Sequence, residues 1–154
     1  MNGDRKVLNF RQVSGFNLFM GKAQCGTCHF APIFNGLTPP AYQATEYEIL
    51  GTPLIDNLKH PKADSDMGRY IYYSTRYYKR AFKTPTVRNA ARTAPYMHNG
   101  AFRSLQKVLD FYNNGGGQGV GLDIPEQTLA PQRLKLNRTE IKNIIAFLNS
   151  LTDQ

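Results

Sequence analysis

A single, mainly α-helical domain with long irregular loops is the fold class this sequence predicts, and three observations predict it. Apolar residues recur at helical spacing in three stretches, near residues 9–22, 105–113 and 137–151, as amphipathic helices require. The intervening segments are rich in Pro, Gly and isolated polar residues, with no sustained alternation to mark a strand. A chain of 154 residues with 41% hydrophobic and 12% aromatic content is long enough for one domain with a core and too short for two.

The first helix is expected from about Asn9 to Lys22, with Phe10, Val13, Phe16 and Phe19 or Met20 at roughly helical spacing and Gly15 as its weak point. It leads directly into Cys25-Gly26-Thr27-Cys28-His29. From Pro32 to Asp66 the pattern predicts a long connection, with a short helix near Tyr42 to Leu50; a loop of that length needs something to pin it. The next helix is predicted over Leu105 to Asn113, N-capped by Ser104, with Leu105, Val108, Leu109 and Tyr112 on one face. It stops at Asn113-Asn114-Gly115-Gly116-Gly117, read as a turn. These glycines follow a helix, whereas a phosphate cradle introduces one. The last helix is expected to begin at Asn137-Arg138-Thr139-Glu140, a capping arrangement, and to carry Ile141, Ile144, Ile145, Leu148 and Leu151 as its stripe.

Cys25 and Cys28 are the only cysteines. A disulfide between them would close a very small loop and restrain the unfolded chain little. A zinc site would need two more ligands, yet the remaining histidines, His60 and His98, lack the paired spacing of zinc modules. A redox dithiol belongs in a βαβ context that is missing here. Cys-x-x-Cys-His is the spacing by which two thiols attach to the vinyl groups of a haem, with the histidine binding the iron from the proximal side. The reading is therefore one covalent haem c, attached at Cys25 and Cys28 and ligated by His29, in a cytochrome c-like domain whose long loops wrap a large apolar group.

The formal charge of +8 is unevenly placed. Between Asp66 and Asp110 there is no acidic residue, but Arg69, Arg76, Lys79, Arg80, Lys83, Arg88, Arg92, Arg103 and Lys107 are present, interleaved with Tyr70, Tyr72, Tyr73, Tyr77 and Tyr78. This stretch suits a solvated face, haem propionates or an acidic protein partner. No recognised motif accompanies it that would point to nucleic acid. No apolar run is long enough to span a bilayer, and Met1 to Lys6 lacks the apolar middle of a signal peptide. Because haem is attached to this motif on the oxidising side of a bacterial membrane, a periplasmic location is expected, with the chain processed or trimmed from a longer protein.

The ligand on the distal face of the iron stays open between two residues. Met97 lies well downstream of the motif and is the default for a single-haem electron carrier, ahead of Met20 and Met67. Tyr112 lies on the inward face of its helix, where a buried phenol needs a partner for its oxygen.

The segments Phe82-Lys83-Thr84-Pro85-Thr86-Val87-Arg88-Asn89 and Thr93-Ala94-Pro95-Tyr96-Met97-His98-Asn99-Gly100 resemble the K-x-P-T-L-R-N and T-x-P-Y-x-H-[ND]-G signatures of bacterial di-haem cytochrome c peroxidases and their MauG-like relatives. The run from Glu140 to Leu151 is similar as well. The resemblance covers about Phe16 to Thr152 and matches the C-terminal haem domain of that family. It implies an electron-transferring haem whose distal ligand stands fourteen residues after the motif histidine, Met in the peroxidases and Tyr in MauG. Fourteen residues beyond His98 is Tyr112, so the resemblance favours Tyr112 over Met97. A phenolate would stabilise ferric and higher-valent iron. The resemblance further implies Arg88 near the haem propionates, His98 near the haem edge, and the carbonyls of Thr93 and Pro95 at an interdomain calcium site. That calcium site also needs a residue from the other domain. This chain has one Cys-x-x-Cys-His and no Trp, so the N-terminal haem domain, where that family cleaves peroxide, is a missing partner, alongside a small electron-donor protein.

Overall fold

The structure, a computed structural model, describes residues 7–153. The N-terminal segment considered for an export signal lies outside the described residues. Four helices hold the fold: α1 (Phe10–Met20), α2 (Leu105–Asn113), α3 (Gly116–Gly119) and α4 (Arg138–Ser150). Among the described residues one sheet forms, pairing β1 (Tyr47–Glu48) with β2 (Phe82–Lys83), antiparallel, with Tyr47 opposite Lys83 and Glu48 opposite Phe82. Helices thus dominate the regular structure, and most of the remaining chain is turns and isolated bridges. None of the described helices is long and apolar enough to cross a membrane.

Both terminal helices begin on a reciprocal capping box, Asn9 with Gln12 and Asn137 with Glu140, each satisfying two otherwise orphaned backbone N–H groups. The helices cross at Gly15. A Cβ there would stand 1.9 Å from the Asn143 carbonyl oxygen and 2.8 Å from the Phe147 Cβ, so the glycine is what lets the two backbones touch. It is a packing requirement rather than a weak point. Around the crossing sit Phe19, Ala23, Leu109, Leu136, Ile141, Ile144, Phe147 and Leu148, all buried. Phe16, Phe19 and Phe34 each pack edge-on to Phe147, at centroid distances of 5.4, 5.4 and 5.5 Å.

The expected face of α1 is corrected. Phe10 and Val13 are 86% and 42% exposed, not part of the core. Nine residues separate Phe10 from Phe19, and at about 100° per residue this places them on opposite sides of the helix. The register chosen by Gly15 and Phe19 turns Phe10 to solvent. Helices α2 and α4 form where predicted, but each buries a residue outside the predicted stripe. Phe111 is fully buried against Phe102 at 5.4 Å, and Phe147 fills the α1–α4 crossing.

Two further readings change. No helix forms near Tyr42 to Leu50; that segment contains β1. The glycine run is not a simple turn, because Gly116–Gly119 makes one helical turn after Gly115 in the left-handed conformation. That turn is buried since the Gly117 Cα lies 2.9 Å from where a Cβ on Gly51 would be, and the Gly117 N–H donates to the Leu50 carbonyl. A second, smaller core of Ile49, Ala81 and Ile124, flanked by Tyr47, Ala63, Tyr78 and Leu122, underlies this loop-rich half.

Candidate haem-attachment site

The end of α1 delivers the motif. Ala23 is buried, Gln24 takes a left-handed turn, and Cys25–Thr27 form one tight helical turn. The Cys28 and His29 N–H groups both point back to the Cys25 carbonyl, at 3.3 and 2.9 Å. This turn presents both sulfurs and the imidazole together, and the thiols are free, not joined to each other. Burial, its largest cause, pushes Cys25 up to about 12 and Cys28 up to about 11, so both are neutral thiols at ordinary pH. The Met20 thioether lies against Gly26, where an added Cβ would meet its sulfur at 2.7 Å.

The His29 Nδ1 lies 3.0 Å from the Pro85 carbonyl oxygen. A carbonyl only accepts, so Nδ1 carries the proton and Nε2 keeps its lone pair. This is how a metal-ligating histidine is normally oriented. Burial lowers its pKa to about 4, which keeps the ring neutral and able to coordinate. Pro85 is in turn placed by the sheet, since β2 runs straight into Thr84 and Pro85 and the Thr84 N–H donates to the Glu46 carbonyl at 3.1 Å.

The same sheet brings a carboxylate to the motif. The Cys28 Sγ lies 3.4 Å from Glu48 Oε1, and ligand atoms of Cys28, Glu46 and Glu48 all lie within 4.8 Å of one another. Thr128 holds Glu48 in place, its hydroxyl donating to Glu48 Oε2 and accepting from the Ile49 N–H at 2.9 Å. The signal for this pair is the spacing Glu46-Tyr47-Glu48, which in extended chain sends both carboxylates to one side; here Glu48 lies on β1 and Glu46 just before it. Reading the segment as helix hides it.

Tyr112 is the other predicted residue that the fold draws to this place. Burial, its largest cause, pushes its phenol above the usual range, with no hydrogen bond offsetting the rise. Arg88 and His98 have partners of their own. Arg88 Nη2 donates to Asp153 Oδ1 at 3.0 Å, and Asn89 joins the same carboxylate. His98 Nε2 lies 2.5 Å from Asp64 Oδ2, and its ring stacks on Phe82 with centroids 3.5 Å apart. Met97 sits in a left-handed turn at φ +69°, and Thr93 and Pro95 are exposed. The Arg69 guanidinium lies within 3.9–4.9 Å of the rings of Tyr47, Tyr73 and Tyr78, so part of the basic, aromatic stretch is internal packing.

The residues present fit a covalently bound haem: two unpaired thiols at the attachment spacing and an imidazole with its tautomer set, Nε2 free. Fold and motif together define a cytochrome c-type domain. In fold the chain matches a MauG-like protein associated with microbial copper homeostasis, with a TM-score of 0.75 over 96% of this chain and 45% of that one, at 23% identity. It likewise matches the di-haem peroxidase BthA from Burkholderia thailandensis, with a TM-score of 0.63 over 95% of this chain. No family model matches. Individual proteins do: a cytochrome-c peroxidase of Pseudomonas sp. (strain SCT) is 38% identical over 98% of this chain, and a methylamine utilization protein MauG of Methylorubrum extorquens is 30% identical over 97%. By sequence the chain is similar to these bacterial cytochrome c peroxidases and MauG proteins. It spans 42% and 36% of the length of those two relatives.

Proposed function

We propose that this chain is the C-terminal haem c domain of a periplasmic di-haem peroxidase of the cytochrome c peroxidase and MauG type. In the complete protein it would pass or store electrons for reduction of hydrogen peroxide. The observation that carries the reading is the free Cys25–Cys28 pair beside His29, whose Nδ1 is held by Pro85.

Cys25 and Cys28 would add their thiols across the two vinyl groups, forming thioethers and fixing the ring's orientation. His29 would hold the iron through Nε2, with Pro85 keeping the imidazole neutral and correctly turned. Tyr112 would be the distal ligand, giving up its phenolic proton. Its raised pKa makes this unfavourable without a cation to receive the oxygen. Arg88 would neutralise a haem carboxylate while keeping or exchanging Asp153. The bound haem supplies one-electron chemistry at its iron. A missing N-terminal haem domain and a small electron-donor protein are the partners this reading requires, while a calcium ion at Thr93 and Pro95 would need that second domain.

A free-standing mono-haem carrier with Met97 as distal ligand is the second reading, favoured by the methionine's place downstream of the motif. Production of the full chain with haem-attachment machinery, followed by a pyridine haemochrome assay, is expected to show one covalent haem. Optical and paramagnetic resonance spectra of Tyr112→Phe should change while those of Met97→Ala stay as in the parent; the reverse result selects Met97. High peroxide turnover by the chain alone would overturn the assignment to an electron-transferring domain.

A further inference from the structure

The pair Glu46 and Glu48 has no part in attaching or ligating a haem, yet it faces the attachment point. We infer that Glu48, with Glu46 beside it, is a fixed negative charge that lowers the reduction potential of the haem held through Cys28; this rests on the covalent attachment proposed above.

The placement follows from bonding. Glu48 Oε1 lies 3.4 Å from the Cys28 sulfur, the atom that would carry the thioether bond to the haem, so the carboxylate would stand beside that attachment point. The carboxylate is anchored at both levels. Its backbone is paired to β2 with Glu48 opposite Phe82, and its second oxygen accepts from the Thr128 hydroxyl. Glu46, just before β1 and two residues from Glu48, brings its carboxylate within 4.8 Å of both Glu48 and Cys28.

No described cation forms an ion pair with Glu46 or Glu48; the ion pairs formed by the described residues use Glu140, Glu126, Asp153, Asp64 and Asp56. Lys83, the nearest cation in the sheet register, stands opposite Tyr47 and so shares the face that Glu48 does not occupy. Reduction takes one electron from an external donor and converts ferric to ferrous iron, lowering the charge of the site by one. In a partly desolvated setting a nearby carboxylate opposes that change more strongly than it would in water. The Thr128 hydroxyl that bonds Glu48 is neutral and brings no opposing charge.

Spectroelectrochemical titration of the haem-loaded full chain tests this. Glu48→Gln should raise the midpoint potential by about 59 mV, a tenfold shift in a one-electron equilibrium. Glu46→Gln should raise it by less, and Glu48→Asp should stay near the parent. The ferric paramagnetic resonance spectrum should be the same in all. Unchanged or lower midpoints in both Gln variants, with normal haem content, would overturn the inference. So would a changed ferric spectrum, since the shift would then arise from ligation. If Glu48→Gln does not accumulate, Glu46→Gln alone carries the test, and no rise there is a negative result. Absence of covalent haem in the parent would instead refute the attachment reading.

Discussion

The α1–α4 clamp and the loop-rich half built around β1, β2 and α3 reach stability by different means. The clamp has a continuous aromatic and aliphatic core, ideal caps and a glycine crossing. The loop half has three buried apolar residues in its own core, a two-residue strand pair, and polar side chains bonded to backbone, such as Gln127 to the Gly115 and Leu129 carbonyls. One half is set by burial of apolar faces, which is non-directional and strong. The other is set by many directional bonds of about 1 kcal/mol each. The candidate site lies where they meet, with Cys25 packed on the clamp and Cys28 against β1. Attachment through both sulfurs would thus staple the weaker half to the stronger one.

The largest expected effect is on that staple. Replacing both Cys25 and Cys28 by Ser should abolish covalent haem in a denaturing-gel haem stain. Limited proteolysis should then cut within residues 35–85 while α1 and α4 resist. Equal cutting of both halves would break the comparison. In the clamp, Ile144 is fully buried, and Ile144→Ala should cost about 2–5 kcal/mol in denaturant unfolding. Gly15→Ala drives a methyl group into the Asn143 carbonyl and should cost about 1–3 kcal/mol; no loss would mean that the helices can separate freely. In the loop half, Arg69→Met removes the guanidinium from three tyrosine rings and should cost about 1–2 kcal/mol. The accompanying loss of amide exchange protection should be confined to residues 45–85.

The smallest effect is on pH dependence. A side-chain hydrogen bond from Lys22 is the main cause lowering Glu140 below 4.5. A carboxyl group depressed in the folded state contributes stability above its unfolded pKa and loses it as pH falls through the folded value. Stability should therefore decline below about pH 4.5, and Glu140→Gln should reduce that decline slightly, since both side chains of the pair are partly exposed. Thermal melts from pH 6 to 3 would measure it. A steeper acid loss in Glu140→Gln would contradict the sign.

Tyr112 and His98 show how legibility fails and succeeds within one helix-to-loop stretch. Tyr112 sits on a helix whose period is written in its apolar residues, so its inward direction is readable. His98 lies in a loop, where its partners, Asp64 and Phe82, come from distant segments with no periodic signal. Arg88 is similar, because its engagement with Asp153 depends on where the C-terminus folds back.

Local rules thus set the capped helices, the attachment motif and the inward face of α2, because caps, spacing and period act over a few residues. Tertiary structure decided which side of α1 faces inward, that Gly15 is a crossing point and that Pro85 holds His29. It also decided that β1 brings Glu48, with Glu46 just before it, beside Cys28. Each of these depends on contact between segments far apart in sequence, where packing and long-range pairing outweigh local preference.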